Sequence, residues 1–179
     1  MVRIVAIVGV FEVGNHFLND NGDESVDKRL LIRAPESLTA MNFDLLEYSD
    51  RGELPFDLSI LIVRGRLTGR LYRTPLSMFE RAGDRFVVGG FPGSDWIRNV
   101  RAAEGRAILS LGRSVPDERV RLVELPLDEA ALILRACPEV VPYGTSLMVA
   151  YGVVASATPE ALAEVAGICP VFRIDSEVG

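Results

Sequence analysis

The chain has 179 residues, of which 49% are hydrophobic, and a net charge of -6, so it holds enough apolar chain for one compact folded domain. This composition excludes an intrinsically disordered protein, and the negative charge with only 7% aromatic residues argues against a nucleic-acid partner. The single histidine, His16, argues against a histidine metal site and a Ser-His-Asp triad, and the two cysteines, Cys137 and Cys169, each lie beside a proline and are predicted to be buried free thiols.

The first fifty residues carry the weakest pattern of the chain. An apolar run at residues 2–11 contains one arginine and is too short to span a bilayer. It has no clear small-residue cleavage site, so a signal peptide is not predicted, and a strand, an interfacial segment or an imprecise gene start stay open. Residues 19–27 predict a polar loop, and no regular period follows up to Gly52. We therefore divide the chain into an N-terminal segment, residues 1–53, and a folded domain, residues 54–179.

Short strands separated by turns follow from residue 54. The predicted strands lie at residues 59–64, 73–81, 85–90, 107–111, 119–125 and 171–174. Helices are predicted at residues 95–103 after an N-cap at Ser94, at 128–136 with an N-cap at Asp128, and at 159–166 after an N-cap at Thr158. Residues 147–154 fit a helix or a strand. Because hairpins join most strands, the pattern argues against a doubly wound parallel sheet and indicates an α+β fold, a small antiparallel barrel with peripheral helices.

An arginine-rich turn joins the first two predicted strands. Gly65 and Gly69 bracket the turn, and Arg66, Arg70 and Arg73 surround it. Backbone N–H groups exposed among guanidinium groups are suited to binding a phosphate. A solvated hairpin loop would have the same pattern, so the turn alone does not decide between the two.

Charge is distributed unevenly along the chain. Residues 60–121 carry twelve arginines against six acidic residues, whereas residues 12–57 carry eleven acidic and four basic residues. The centre of the chain therefore favours an anionic partner, and a phosphorylated small molecule fits it better than nucleic acid. Lys28 is the single lysine among nineteen basic residues, which is typical of a GC-rich genome such as that of an actinobacterium.

Three motifs occur in order between residues 54 and 175. They are Gly65-Arg66-Leu67-Thr68-Gly69 with Tyr72-Arg73-Thr74-Pro75, then Gly83-Asp84-Arg85-Phe86-Val87-Val88, then Asp95-Trp96-Ile97-Arg98-Asn99-Val100. Together they resemble the deazaflavin-dependent nitroreductase family. The resemblance implies a split β-barrel of the flavin-reductase type that binds the reduced deazaflavin coenzyme F420, an anionic cofactor with a phosphate and a glutamate tail. It also implies hydride transfer from the cofactor ring to a quinone, a nitro compound or an activated alkene.

The resemblance also implies which residues hold the cofactor. The implied set is Arg66, Thr68, Gly69, Arg70, Arg73, Thr74, Pro75, Trp96 and Asn99. Within it, the arginines and Gly69 match positions that cradle phosphate, and Trp96 and Asn99 match the helix that closes over the cofactor. From the residues alone, Trp96 is almost equally well explained as a core aromatic that anchors this helix. Asn99 has the alternative of a capping or solvent-facing amide.

Two tyrosines are the candidates for a catalytic role. Tyr143 and Tyr151 lie in the apolar segment that, by resemblance, covers the substrate side of the barrel. A phenol there would donate a hydrogen bond to a substrate oxygen, while the cofactor supplies most of the chemistry. The alternative for each is an ordinary core tyrosine.

Three functions stay open at the level of the sequence. The first is an F420-dependent oxidoreductase, the second is a split-barrel reductase that uses FMN, and the third is a non-catalytic binder of a hydrophobic ligand. The expected partners are an anionic cofactor and a small hydrophobic electron acceptor, without a metal. A homodimer and peripheral membrane contact are left open for a protein that is expected in the cytoplasm.

Overall fold

A computed structural model describes residues 27–53, 58–111 and 115–177. The predicted apolar run at residues 2–11, and all of the predicted polar loop at residues 19–27 except its last residue, lie outside these ranges. Within the described ranges, no helix is long and apolar enough to cross a membrane.

Six antiparallel strands form a closed barrel in the part of the chain that the structure describes. The strands are β1 Leu58–Arg64, β2 Leu71–Arg81, β3 Asp84–Val88, β4 Arg106–Ser110, β5 Glu118–Glu124 and β6 Val171–Ser176. Their order around the barrel is β1-β2-β3-β6-β5-β4, and β4 pairs with β1 to close it. The predicted α+β fold with a small antiparallel barrel is confirmed, and each predicted strand is found within a few residues of its predicted bounds.

The hairpin between β2 and β3 turns on Ala82 and Gly83. Both residues have positive φ, at 53° and 88°, as a two-residue type I′ turn requires. The register then places Phe79 opposite Phe86, and their rings lie 5.9 Å apart. The sequence Ala82-Gly83-Asp84 predicts a hairpin turn here, and the structure confirms it.

The described helices surround the barrel. They are a short 3-10 helix at Lys28–Leu31 and the α-helices α1 Glu36–Arg51, α2 Asp95–Ala102, α3 Leu127–Leu134, α4 Cys137–Val140, α5 Pro142–Ala150 and α6 Pro159–Glu164. The predicted helices after Ser94 and Thr158 are confirmed as α2 and α6. The predicted cap at Asp128 is wrong, because the N-cap position of α3 is Pro126 and Asp128 lies in the first turn. The ambiguous stretch at 147–154 is helical as far as Ala150.

Helix α1 lies in the stretch before Gly52 where the sequence shows no strong period. It ends in a left-handed C-cap at Gly52, where φ is 79° and the backbone N–H donates to Ser49 O. Of its side chains, Ser49 is buried at 3% exposure, whereas Phe43 is 67% exposed. Half-buried Leu38, Met41 and Leu45 lie on the same side of the helix as Ser49.

The buried apolar side chains form two clusters. One fills the barrel with Leu61, Val63, Ile97 and Phe172, and the other lies between the barrel and helices α3 to α6. The second cluster contains both cysteines, which are buried free thiols as predicted. Burial raises the pKa of each thiol to about 12, so both are protonated and unreactive at neutral pH.

Candidate functional site

The arginine-rich turn closes the end of the β1–β2 hairpin. Gly69 N–H donates to Gly65 O at 2.9 Å, and Gly69 has φ of 69°, which favours glycine. The Tyr72 ring lies so close over Gly65 that a Cβ there would clash with its Cε2 atom. Thr68 Oγ1 and the Tyr72 hydroxyl lie 3.2 Å apart, so the predicted site residue Thr68 helps to hold the turn.

Arg66 connects this turn to helix α2. Its backbone N–H and its Nη1 donate to Oδ1 of Asn99 at 3.2 and 3.0 Å, and its Nη2 donates to Asp95 Oδ1 at 3.0 Å. Asn99 is only 4% exposed, so the alternative of a solvent-facing amide is wrong. The structure thus brings together two of the three motifs on which the family resemblance rests.

Asp95 lies among three arginines at the N-terminus of α2. Besides Arg66, it pairs with Arg98 Nη2 at 3.6 Å and with Arg33 Nη1 at 3.7 Å. We call Arg33, Arg66 and Arg98 with Asp95 the arginine cluster. Three guanidinium groups around one carboxylate leave an excess of two positive charges, beside the end of a helix whose dipole favours an anion.

Sequence reasoning gave no role to Arg33 and Arg98. Arg33 reaches the cluster because the segment before α1 is fixed to the loop before α2, where Gly93 N–H donates to Ile32 O at 2.8 Å. A Cβ at Gly93 would come within 2.7 Å of Leu31 O, so only glycine permits this approach. The arginine excess between residues 60 and 121 was a signal for Arg98, but no local pattern pointed to Arg33.

Arg98 contributes a donor that the protein itself does not use. Its Nη2 donates to Gly93 O, whereas its Nε is buried without a hydrogen-bond partner among the described residues. Ser94 occupies the N-cap position of α2 as predicted, but its side chain makes no capping hydrogen bond. The donor groups at this helix end therefore fit an anion such as a phosphate.

Arg73 lies on a different part of the barrel surface from the arginine cluster. It forms a two-bond ion pair with Asp50 of α1, at 2.7 Å for Nη2–Oδ1 and 3.2 Å for Nη1–Oδ2. These hydrogen bonds raise the pKa of Arg73. The pair lines a cavity of about 330 Å³ together with Ser49 and Ile62. Arg66 and Arg73 thus contact different helices, and a phosphate bound by Arg73 would have to displace Asp50.

The other predicted residues of the turn and of β2 have distinct settings. Arg70 is exposed, and its backbone N–H donates to Thr68 Oγ1 at 3.3 Å. Thr74 is half-buried, and Pro75 is buried opposite Ile60 of β1. Strand β3 pairs with β2 only from Met78 onward, so Pro75 lies where its missing N–H costs no hydrogen bond to β3.

Trp96 packs against the barrel. Its half-buried ring lies 5.7 Å from the ring of Phe172 on β6, at an interplanar angle of 57°. This contact gives Trp96 an anchoring role for α2. Its predicted contact with a cofactor stays a prediction.

Tyr143 and Tyr151 both contact helix α1. The Tyr143 hydroxyl donates to Met41 Sδ at 3.8 Å, and the Tyr151 hydroxyl lies 3.4 Å from Ser37 Oγ. Neither is a buried core tyrosine, since they are 60% and 41% exposed. The Tyr151 ring also packs edge-on against Phe91, with centroids 6.1 Å apart. Because Ser37 is in the first turn of α1, Tyr151 lies beside the start of that helix.

No protein-family model matches this chain, and no curated protein matches it. Several solved structures are similar at low identity, among them the following three. A domain-swapped dimer is 21% identical over 78% of this chain and 98% of its own, with a TM-score of 0.45. An F420-H2 dependent reductase is 21% identical over 66% of this chain and 94% of its own, with a TM-score of 0.37. A NimC/NimA family protein from Clostridium acetobutylicum is 15% identical over 82% and 95%, with a TM-score of 0.40. At these values the similarities assign no activity. The barrel fold is established by the strand pairing described above.

Proposed function

We propose that this protein is an oxidoreductase that binds the reduced deazaflavin coenzyme F420 through its phosphate and passes a hydride to a quinone, a nitro compound or an activated alkene. The observation that carries the proposal is the arginine cluster, in which Arg66 of the turn and Arg98 of α2 meet around Asp95. The choice of a deazaflavin as the cofactor comes from the three sequence motifs that resemble the deazaflavin-dependent nitroreductase family. FMN is the alternative cofactor, because it also presents a phosphate.

The cluster suits an anion that arrives from solution. Its arginine side chains keep between 26% and 64% of their surface exposed, so a phosphate can reach them without unfolding the helix end. Asp95 holds the guanidinium groups in place while the site is empty, which reduces the entropy lost on binding. Asn99 fixes the Arg66 side chain from the buried side. Arg66, Arg98 and Arg33 are therefore the residues that would hold the phosphate.

The bound cofactor supplies the hydride, and the protein supplies position and charge. Tyr151 is the better placed of the two candidate tyrosines, because its ring packs on Phe91 in the loop that leads into α2. Its hydroxyl has one long contact, to Ser37, which a substrate oxygen can replace. Tyr143 is more exposed, and its hydroxyl donates to Met41 Sδ.

Cofactor affinity tests the proposal directly. We expect Arg66→Ala to weaken binding of F420 about tenfold or more, because a charge-assisted hydrogen bond contributes roughly 1.5–3 kcal/mol. Fluorescence titration of the purified protein with F420, and separately with FMN, measures the affinity and decides between the two cofactors. Arg106→Ala is the control, because Arg106 pairs with Glu104 in an exposed ion pair outside the cluster.

Asp95→Asn separates charge recognition from a loss of structure. The amide keeps most of the size of the carboxylate but removes its charge, so the cluster gains one positive charge and the affinity for the anionic cofactor should rise. If F420 affinity falls in both Arg66→Ala and Asp95→Asn, the loss comes from disrupting the contacts that hold the turn and not from a change in charge. Unchanged affinity in both variants would remove the cluster from the function.

Turnover tests the tyrosines. With reduced F420 and a soluble quinone under anaerobic conditions, Tyr151→Phe should lower the rate by a few-fold to about a hundredfold, which corresponds to about 1–3 kcal/mol. Tyr143→Phe is the comparison at the more exposed position, and cofactor affinity should be unchanged in both. If the wild-type protein binds F420 tightly but reduces no quinone or nitro compound, the non-catalytic binding function replaces this proposal.

A further inference from the structure

The end of the β1–β2 hairpin exposes apolar side chains to solvent. Leu67 is 84% exposed, Leu71 is 60% exposed and Tyr72 is 45% exposed. The last pair of the β1–β2 ladder is Arg64 with Leu71, so Leu67 lies beyond the ladder at the projecting end of the hairpin. We call Leu67, Leu71 and Tyr72 the apolar tip.

Positive charge surrounds the apolar tip. Residues 61–79 contain four arginines and no acidic residue; Arg66 and Arg73 pair with Asp95 and Asp50, which leaves Arg64 and Arg70 to supply the positive charge at the tip. Arg64 donates to Gly69 O at 2.7 Å, which holds its guanidinium group against the turn, and Arg70 is exposed within the turn. The tip therefore combines an apolar end with cationic groups close behind it.

We propose that the apolar tip binds an anionic lipid surface. The tip projects from the barrel. If it meets an anionic bilayer, the leucines at its end reach the acyl chains and the arginines behind them lie at the level of the anionic headgroups. A second copy of this chain is a poorer partner, since two tips related by a two-fold axis would bring arginines together. Lys28, the chain's one lysine, lies outside this region, so the attraction would come from arginine.

This surface is independent of the proposed function. Leu67 and Leu71 have no hydrogen bond or ion pair with the arginine cluster in the described part of the chain, and their exposed side chains belong to neither buried apolar cluster. Replacing them should change lipid binding and leave F420 affinity as it was. The two proposals can therefore fail separately.

Vesicle binding tests this inference. The full chain is mixed with phosphatidylcholine vesicles that contain about a third phosphatidylserine, and with pure phosphatidylcholine vesicles, and the bound fraction is measured by co-sedimentation. We expect binding to the anionic vesicles only. The double variant Leu67→Ser with Leu71→Ser should bind the anionic vesicles at least about tenfold more weakly, because two apolar side chains no longer insert. Leu132→Ser is the matched control, since Leu132 on α3 is also exposed, at 62%.

Three results would overturn it. They are equal binding to both kinds of vesicle, an undiminished affinity in the double variant, and an equal loss in the Leu132→Ser control. Light scattering of the same samples without lipid adds a fourth, because a dimer that dissociates in the double variant would assign the tip to a second copy of the chain. Circular dichroism confirms that each variant keeps its fold before it is compared.

Discussion

Asn99 is the residue through which the turn and helix α2 depend on each other. One oxygen atom, Oδ1, accepts from both the backbone N–H and the side chain of Arg66. Both bonds lie in a poorly solvated setting, because Asn99 is 4% exposed. A buried acceptor of this kind stabilises the fold, and it also fixes the direction of the guanidinium group that would meet the anion.

Replacement of Asn99 by alanine should therefore affect stability and binding together. We expect a loss of about 1–3 kcal/mol in the free energy of unfolding, because the Arg66 donors lose their buried partner. Urea denaturation measures the loss, and F420 affinity should fall in the same variant. Asn99→Asp keeps the acceptor oxygen but adds a negative charge, so it should weaken F420 binding more than it weakens the fold. An Asn99→Ala protein with unchanged stability and affinity would contradict this role.

Glu118 makes the stability of the barrel sensitive to pH. Hydrogen bonds from Arg85, and a further one from Ser176, lower the pKa of Glu118 from an ordinary 4.5 to about 2. A lowered folded-state pKa stabilises the protein above the unfolded value, and the contribution is lost as the pH falls from about 4.5 through about 2. We expect this loss to amount to about 1–2 kcal/mol, because the pair is partly exposed.

Denaturation at several pH values checks this expectation. Glu118→Gln cannot ionise, so the decline in stability between these pH values should be smaller by that amount in the variant. Glu160→Gln, at the exposed pair with Arg135, is the control and should keep the decline of the wild type. An identical decline in Glu118→Gln and wild type would mean that other carboxylates cause it.

At the scale of elements, the strands could be predicted from the sequence and the first helix could not. Strand β1 is a continuous apolar run with Ser59 to Leu61 all buried, strand β5 alternates exposed and buried side chains around Val120 and Leu122, and turn residues such as Gly83 separate the strands. Helix α1 lacks this regularity, since Ser49 is buried while Phe43 and Tyr48 are exposed. Its half-buried residues Leu38, Met41 and Leu45 have helical spacing, but apolar residues lie on the exposed side as well, so the helical period in the sequence is weak. Its position depends on tertiary contacts such as Asp50 with Arg73.

The two predicted N-caps, Thr158 and Ser94, differ in whether their side chains accept a hydrogen bond from the helix. Thr158 was predicted as the N-cap of α6, and its side chain accepts from Ala161 N–H at 3.3 Å. Ser94 was predicted as the N-cap of α2, and its side chain makes no such bond. Thr158→Ala should therefore cost about 1 kcal/mol in the free energy of unfolding, while Ser94→Ala should cost only a few tenths. Chemical denaturation of both variants measures the difference, and equal losses would show that the bond to Ala161 contributes nothing.

For the whole molecule, pairing reduces the charge asymmetry that the sequence displays. Several arginines of the basic centre are held by carboxylates, including Arg73 by Asp50, Arg85 by Glu118 and Arg101 by Glu124. The excess of positive charge remains at the arginine cluster and at the hairpin end. The sequence shows that the arginines are in excess but not which of them stay unpaired, because that depends on which acidic side chains the fold places opposite each arginine; an anionic partner stays a prediction.

The salt dependence of cofactor association distinguishes the local field from the field of the whole molecule. The net charge of -6 repels an anion at long range, whereas the arginine cluster attracts it at short range. At about 0.1 M salt the Debye length is about 10 Å, so the repulsion is largely screened and the cluster dominates; at about 1 M it shrinks to about 3 Å. We expect the association rate of F420, measured by stopped-flow fluorescence, to fall clearly between these two concentrations.

In Arg66→Ala the fall should be smaller, since one of the attracting charges is gone, while Arg106→Ala should behave as wild type. A rate that rises with salt over this range would mean that the net negative charge governs the encounter, and the arginine cluster would then have no steering role.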